Sequence, residues 1–63
     1  MRLRDALKLH NGDEVKLKET GESCRVERYI LVSDFNAKPL EALFDLHCSK
    51  QGYIRYVRHT EFI

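Results

Sequence analysis

Leu40-Glu41-Ala42-Leu43-Phe44-Asp45-Leu46-His47-Cys48, then Ser49-Lys50-Gln51-Gly52, then Tyr53-Ile54-Arg55-Tyr56-Val57, is the stretch whose reading decides the fold. Residues 40–48 carry two patterns at once. At helical spacing Leu40, Leu43, Phe44 and His47 form one stripe, and Pro39 suits a first turn. At strand spacing Leu40, Ala42, Phe44, Leu46 and Cys48 share one face, and Glu41, Leu43, Asp45 and His47 share the other. Propensity favours the helix and alternation favours the strand. The residues that follow tip the balance. Residues 49–52 have the composition of a short loop ending in glycine, and residues 53–57 are a β-branched and aromatic run. Two such runs around a short loop read as a hairpin. We therefore read residues 40–48 as a strand in an all-β fold. The alternative is an α+β fold with a helix at 39–48 on a three-stranded sheet.

A second hairpin lies upstream. Val15 and Leu17 alternate with Glu14, Lys16 and Lys18, the period of a strand with one wet face. Thr20-Gly21-Glu22 supplies a turn, because Gly21 takes a positive φ without steric cost. Cys24 and Val26 then resume the apolar alternation. The strand runs on, with Arg25, Glu27, Tyr29 and Leu31 on one face and Cys24, Val26, Ile30 and Val32 on the other, interrupted by Arg28. By residues 29–32 both faces are apolar, which suits a long strand that bends and serves two halves of a small barrel. Residues 33–39 read as a loop with Phe35 plugging the core. At the two ends, Leu3 and Leu7 predict a short helical turn over the core. Thr60 and Glu61 predict a turn that docks Phe62 and Ile63 as a last short strand or plug.

Length and charge set the bounds. The 63 residues make one domain, 1–63. A chain of this size buries only about 60% of its unfolded surface and needs a staple to be more than marginal. Eleven basic and ten acidic residues leave a formal net charge of +1, which argues against dominant electrostatic binding to nucleic acid or anionic lipid. There is no secretory pattern at residues 1–5 and no apolar run of membrane-spanning length. The expectation is a cytoplasmic protein with no membrane contact, whose Cys24 and Cys48 are free thiols.

Reactive chemistry finds few candidates. Cys24, His47, Cys48 and His59 lack the paired spacing of a zinc site, and His47 and Cys48 point to opposite faces of a strand, so no metal is expected. The two cysteines read as small buried hydrophobes on adjacent strands, and a disulfide between them requires those strands to pair in register. Cys48 with His59 or His10 has no accompanying catalytic signature. The carboxylates Glu41 with Asp45, and Asp13 with Glu14, read as solvated groups. Gly12, Gly21 and Gly52 each sit at a turn and form no phosphate loop. The expectation is no catalytic activity and no cofactor. The sharper pattern is basic and aromatic. Lys16, Lys18, Arg25, Tyr53, Arg55, Tyr56 and Arg58 fall on strands, with Tyr29 nearby, and form a candidate binding surface of stacking rings and cations. The competing reading has those cations keeping strand faces soluble and pairing with Glu14, Glu19, Glu27 and Asp45.

The run Leu9-His10-Asn11-Gly12-Asp13-Glu14-Val15-Lys16-Leu17, the turn at 20–22 and Val26 resemble the opening hairpin of SH3-like small barrels, the class that includes KOW and Tudor-like domains. Tyr56-Val57-Arg58-His59-Thr60-Glu61-Phe62-Ile63 resembles their final strand, short turn and last strand. The chain is also similar in style to small uncharacterised bacterial proteins carried on mobile elements. The resemblance implies a five-stranded barrel with a short N-terminal helical turn. It carries over no functional motif: the further glycines of a KOW motif, the paired tryptophans of peptide-binding SH3 domains and an identifiable aromatic cage are missing. The expected function is a non-catalytic protein-interaction module that binds a protein partner or a second copy of itself. The alternative is a nucleic-acid-binding accessory module using the basic strand faces.

Overall fold

The computed structural model describes Met1–Ile63. It is mostly β: a four-stranded antiparallel open sheet with one short helical turn. A one-turn helix α1 (Leu3–Ala6) leads to β1 (Glu14–Lys16), β2 (Ser23–Ser33), β3 (Pro39–Cys48) and β4 (Gly52–Arg58). A single 3-10 turn, His59–Glu61, follows. The strands lie in chain order, β1-β2-β3-β4, so every connection is a hairpin. Residues 39–48 are strand throughout, which corrects the α+β alternative. The hairpin at residues 52–57 supplies the physical reason. β3 finds a partner on both sides, β2 and β4, and the ladder hydrogen bonds and cross-strand packing it gains there override a helix propensity worth at most ~0.7 kcal/mol per residue.

The fifth strand of the expected barrel is reduced to one isolated bridge, Leu17 to Phe62. Two backbone bonds flank it: Lys18 N–H to the Glu61 carbonyl at 2.8 Å and Ile63 N–H to the Lys16 carbonyl at 2.9 Å. These tie the segment after the 3-10 turn to β1.

The core consists of ten buried apolar residues: Ala6, Val15, Leu17, Cys24, Val26, Ala42, Phe44, Leu46, Cys48 and Phe62. The alternation on β3 orders four of the ten, since Ala42, Phe44, Leu46 and Cys48 all point inward. Phe44 stacks on Tyr29 at 5.8 Å and meets Phe62 at 5.2 Å between ring centroids. The staple is covalent. Cys24 stands opposite Cys48 in the β2–β3 register, their Cα atoms 4.0 Å apart, and their sulfurs are bonded. This corrects the free-thiol expectation. Ser49 N–H bonds the Ser23 carbonyl one step along the ladder, so the cysteines occupy a non-hydrogen-bonded pair, where opposed side chains come closest.

Three local expectations also change. On α1 it is Ala6 that is buried, while Leu3 is half-buried and Leu7 is exposed. Phe35 is 98% exposed rather than a core plug, because the 34–38 turn closes on itself: Asp34 Oδ1 accepts the N–H groups of Asn36 and Lys38, both at 2.9 Å. On β2 a bulge at Glu27, between the pairs Val26–Leu46 and Arg28–Asp45, advances the strand by one residue. Tyr29 and Leu31 therefore join Cys24 and Val26 on the core side, and Ile30 and Val32 turn to the other face. A period-2 pattern read straight through the bulge assigns them the wrong way round.

Candidate functional site

The distal half of the β2–β3 hairpin runs past β1 on its β2 side, and past β4 only beyond Leu43 on its β3 side. Its two strands, Tyr29–Ser33 and Pro39–Phe44, pair Tyr29 with Phe44, Ile30 with Leu43 and Leu31 with Ala42. β1 pairs with β2 only at Ser23–Arg25, and its approach residues Gly12 and Asp13 reach no further than the backbone of Val26. From Glu27 to Ser33 the β2 edge that faces away from β3 has no backbone partner. Apolar side chains cluster there: Tyr29 is 44%, Ile30 39%, Leu31 42% and Leu40 58% exposed, with Phe35 at the tip. A long, apolar, unpaired edge is a template for another strand.

A second surface forms on the outer face of β4. Asp45, 1% exposed, is its hub. One carboxylate oxygen accepts from Arg28 Nε at 3.0 Å and from the Tyr53 hydroxyl at 3.2 Å, and the other accepts the Tyr56 N–H at 3.3 Å. Burial opposes the charge on Asp45. The Tyr56 N–H, the Arg28 guanidinium and the Tyr53 hydroxyl outweigh that and hold the carboxyl below its ordinary range. The hub exists because β4 is irregular: its register against β3 slips between Phe44 and Leu46, and Tyr56 takes a φ of 58° there. A non-glycine residue in that region is strained, and the bond to Asp45 fixes it in place. Arg55 lies over the Tyr53 ring at 5.5 Å to the centroid.

The seven residues of the sequence-derived surface divide between these elements. Tyr53, Arg55, Tyr56 and Arg58 all lie on β4. Lys16 and Lys18 lie at and just beyond β1, at the opposite end of the strand order, and Arg25 on β2 spends its charge on Glu27 at 3.1 Å. Arg55 and Arg58 take part in no ion pair; those present are Arg25–Glu27, Arg28–Asp45, His47–Glu27 and His10–Asp13.

Asp45 is thus buried rather than solvated as the sequence suggests, and two further buried polar groups have roles that the sequence does not show. Glu22 looked like a turn residue, yet it is buried and clasps the β3–β4 turn. Its carboxylate accepts the Lys50 N–H, the Gln51 N–H at 2.9 Å and the Gln51 side-chain amide at 2.8 Å. The Gln51 side chain, the two backbone donors and the nearby Lys50 charge hold this carboxyl below its ordinary range against a smaller opposing effect of burial. His59 is also buried, and its Nδ1 accepts the Ala42 N–H at 3.2 Å. That nitrogen carries no proton, so the ring proton sits on Nε2. A groove of about 530 Å³ lies beside the Glu22 clasp, with Leu17, Glu19, Ile54, Val57 and Glu61 in its wall.

Cys48 is spent in the disulfide and the His59 Nδ1 in its bond to Ala42, so this Cys–His pair is unavailable for nucleophilic chemistry in this state. No group of three His, Cys, Asp or Glu side chains is placed to hold a metal ion. No helix is long and apolar enough to cross a membrane. No protein-family model matches the chain, and neither a curated protein nor a solved structure matches it.

Proposed function

We propose that the chain is a non-catalytic protein-interaction module whose contact surface is the projecting β2–β3 hairpin. The observation that carries this reading is the unpaired β2 edge at residues 27–33, flanked by exposed Tyr29, Ile30, Leu31 and Leu40. Such an edge gains main-chain hydrogen bonds by adding a strand, and alternate side chains supply selectivity. A library of displayed extended peptides tests it. Peptides enriched on the wild type should lose binding to Ile30→Lys and Leu40→Lys; enrichment unaffected by both removes the hairpin as the site. The SH3-like barrel belongs to the same proposal. It is supported by the β1–β4 meander, the 3-10 turn and the Leu17–Phe62 bridge that returns the chain to β1.

A second reading, nucleic-acid binding, is favoured by Arg55 and Arg58, which are free of ion pairs on the strand that also presents Tyr53 and Tyr56. Its test is binding of labelled single- and double-stranded oligonucleotides at two salt concentrations. Affinity that falls with salt and with Arg55→Ala supports it, and no binding at low salt removes it.

A further inference from the structure

The β2 edge is self-complementary, and we infer that a second copy of this chain pairs with it, antiparallel, about a two-fold axis at Ile30. The inference rests on the interaction reading above and names its partner. Three observations lead there.

The first is backbone direction. In an antiparallel ladder residues alternate between bonding one neighbour and the other. On β3, Ala42 gives its N–H to His59 and not to β2. Its partner Leu31 therefore turns its N–H and carbonyl to the open edge, and so does Tyr29 two residues before it. With the axis at Ile30, Tyr29 of one copy stands directly across from Leu31 of the other. Both have outward backbone groups, so each such pair exchanges two hydrogen bonds.

The second is side-chain matching. The same register sets Ile30 against Ile30, and Tyr29 against Leu31 on the core-side face. Aromatic against branched aliphatic is a favourable cross-strand pair. Glu27 falls opposite Ser33 and Arg28 opposite Val32, so no like charges meet. An axis at Arg28 would oppose two guanidinium groups, and an axis at Tyr29 would set Glu27 against Leu31. The net charge of +1 adds little long-range repulsion between copies.

The third is size. Tyr29, Ile30, Leu31 and Leu40 together leave on the order of 350 Å² of side chain open per copy, against ~800 Å² per partner in a standard stable interface. The product is a weak, concentration-dependent dimer with a continuous eight-stranded sheet.

Sedimentation equilibrium over a wide concentration range tests this. The wild type should pass from monomer to dimer. Ile30→Lys, on an exposed face, should weaken the dimer at least tenfold, and Leu31→Pro, which removes an edge N–H, should do the same. Glu19→Gln, in the exposed β1–β2 turn at the opposite end of β2, should leave it unchanged. Circular dichroism of each variant separates lost pairing from lost folding, and Ile30→Lys carries the test if Leu31→Pro does not fold. Ile30→Cys should also cross-link with itself on mild oxidation, because the axis brings the two residues together at a close, non-hydrogen-bonded pair. A wild type that stays monomeric throughout overturns the second-copy inference, while peptide binding at the same edge would leave the interaction reading standing. A dimer indifferent to both edge variants overturns both.

Discussion

Reducing the Cys24–Cys48 bond should bring this protein close to its unfolding midpoint. The bond closes a loop with a sequence separation of 24, from the start of β2 to the end of β3. Releasing that loop in the unfolded chain is worth ~3.5 kcal/mol at room temperature on the chain-entropy account. A 63-residue domain has on the order of 5 kcal/mol in total. The core is only ten residues, several of them small, and holds little in reserve. At 4–8 °C per kcal/mol for a domain of this size, the melting temperature should fall by roughly 15–25 °C. The assay is thermal unfolding followed by circular dichroism, with and without a phosphine reductant, beside the double variant Cys24→Ala/Cys48→Ala. The variant should melt at or somewhat below the reduced wild type, since it also loses two buried sulfurs. A fall of less than ~5 °C on full reduction would refute the reasoning. It would mean that the unfolded chain is already restricted across residues 24–48, or that the tertiary contacts suffice without a staple.

Three further perturbations test individual side chains. His59→Ala strands the buried Ala42 N–H and should cost roughly 1–3 kcal/mol, whereas His59→Asn, whose oxygen falls near the Nδ1 position, should recover part of that in urea titrations; equal losses in both would dissociate the Nδ1 bond from stability. Asp45 has its pKa depressed by folding, so its contribution is present above about pH 4 and is lost as pH falls through the folded value. The stability-against-pH curve of Asp45→Asn should therefore lie below the wild type near neutrality and converge on it in acid; two parallel curves would rule the coupling out. Ala37 sits at φ 63° in the β2–β3 turn, and Ala37→Gly should raise the denaturant midpoint by up to ~1 kcal/mol of stability, with any loss counting against backbone strain there.

Residue types alone determined the hairpins. Val15 and Leu17, and Cys24 and Val26, carry a period of two, and so does Ala42 to Cys48, where a helical stripe competes until the loop at 49–52 and the β-rich run at 53–57 tip the reading to a hairpin. Gly21 and Gly52 mark turns because both adopt positive φ, 70° and 76°. Those signals are local, so they survive without a partner in view. What depends on a neighbouring strand had to wait for the tertiary structure. The bulge at Glu27 exists only where β2 meets β3, and it exchanges the faces of every residue after it. The irregularity at Tyr56 exists only where β4 meets β3, and it turns Asp45 from a presumed surface charge into a buried hub for Arg28, Tyr53 and Tyr56. The disulfide is likewise a matter of register, because a slip of one residue would send Cys24 and Cys48 to opposite faces. The open edge at residues 27–33 is not a property of those residues at all. It follows from where β1 begins, at Glu14 opposite Arg25, and composition does not record that.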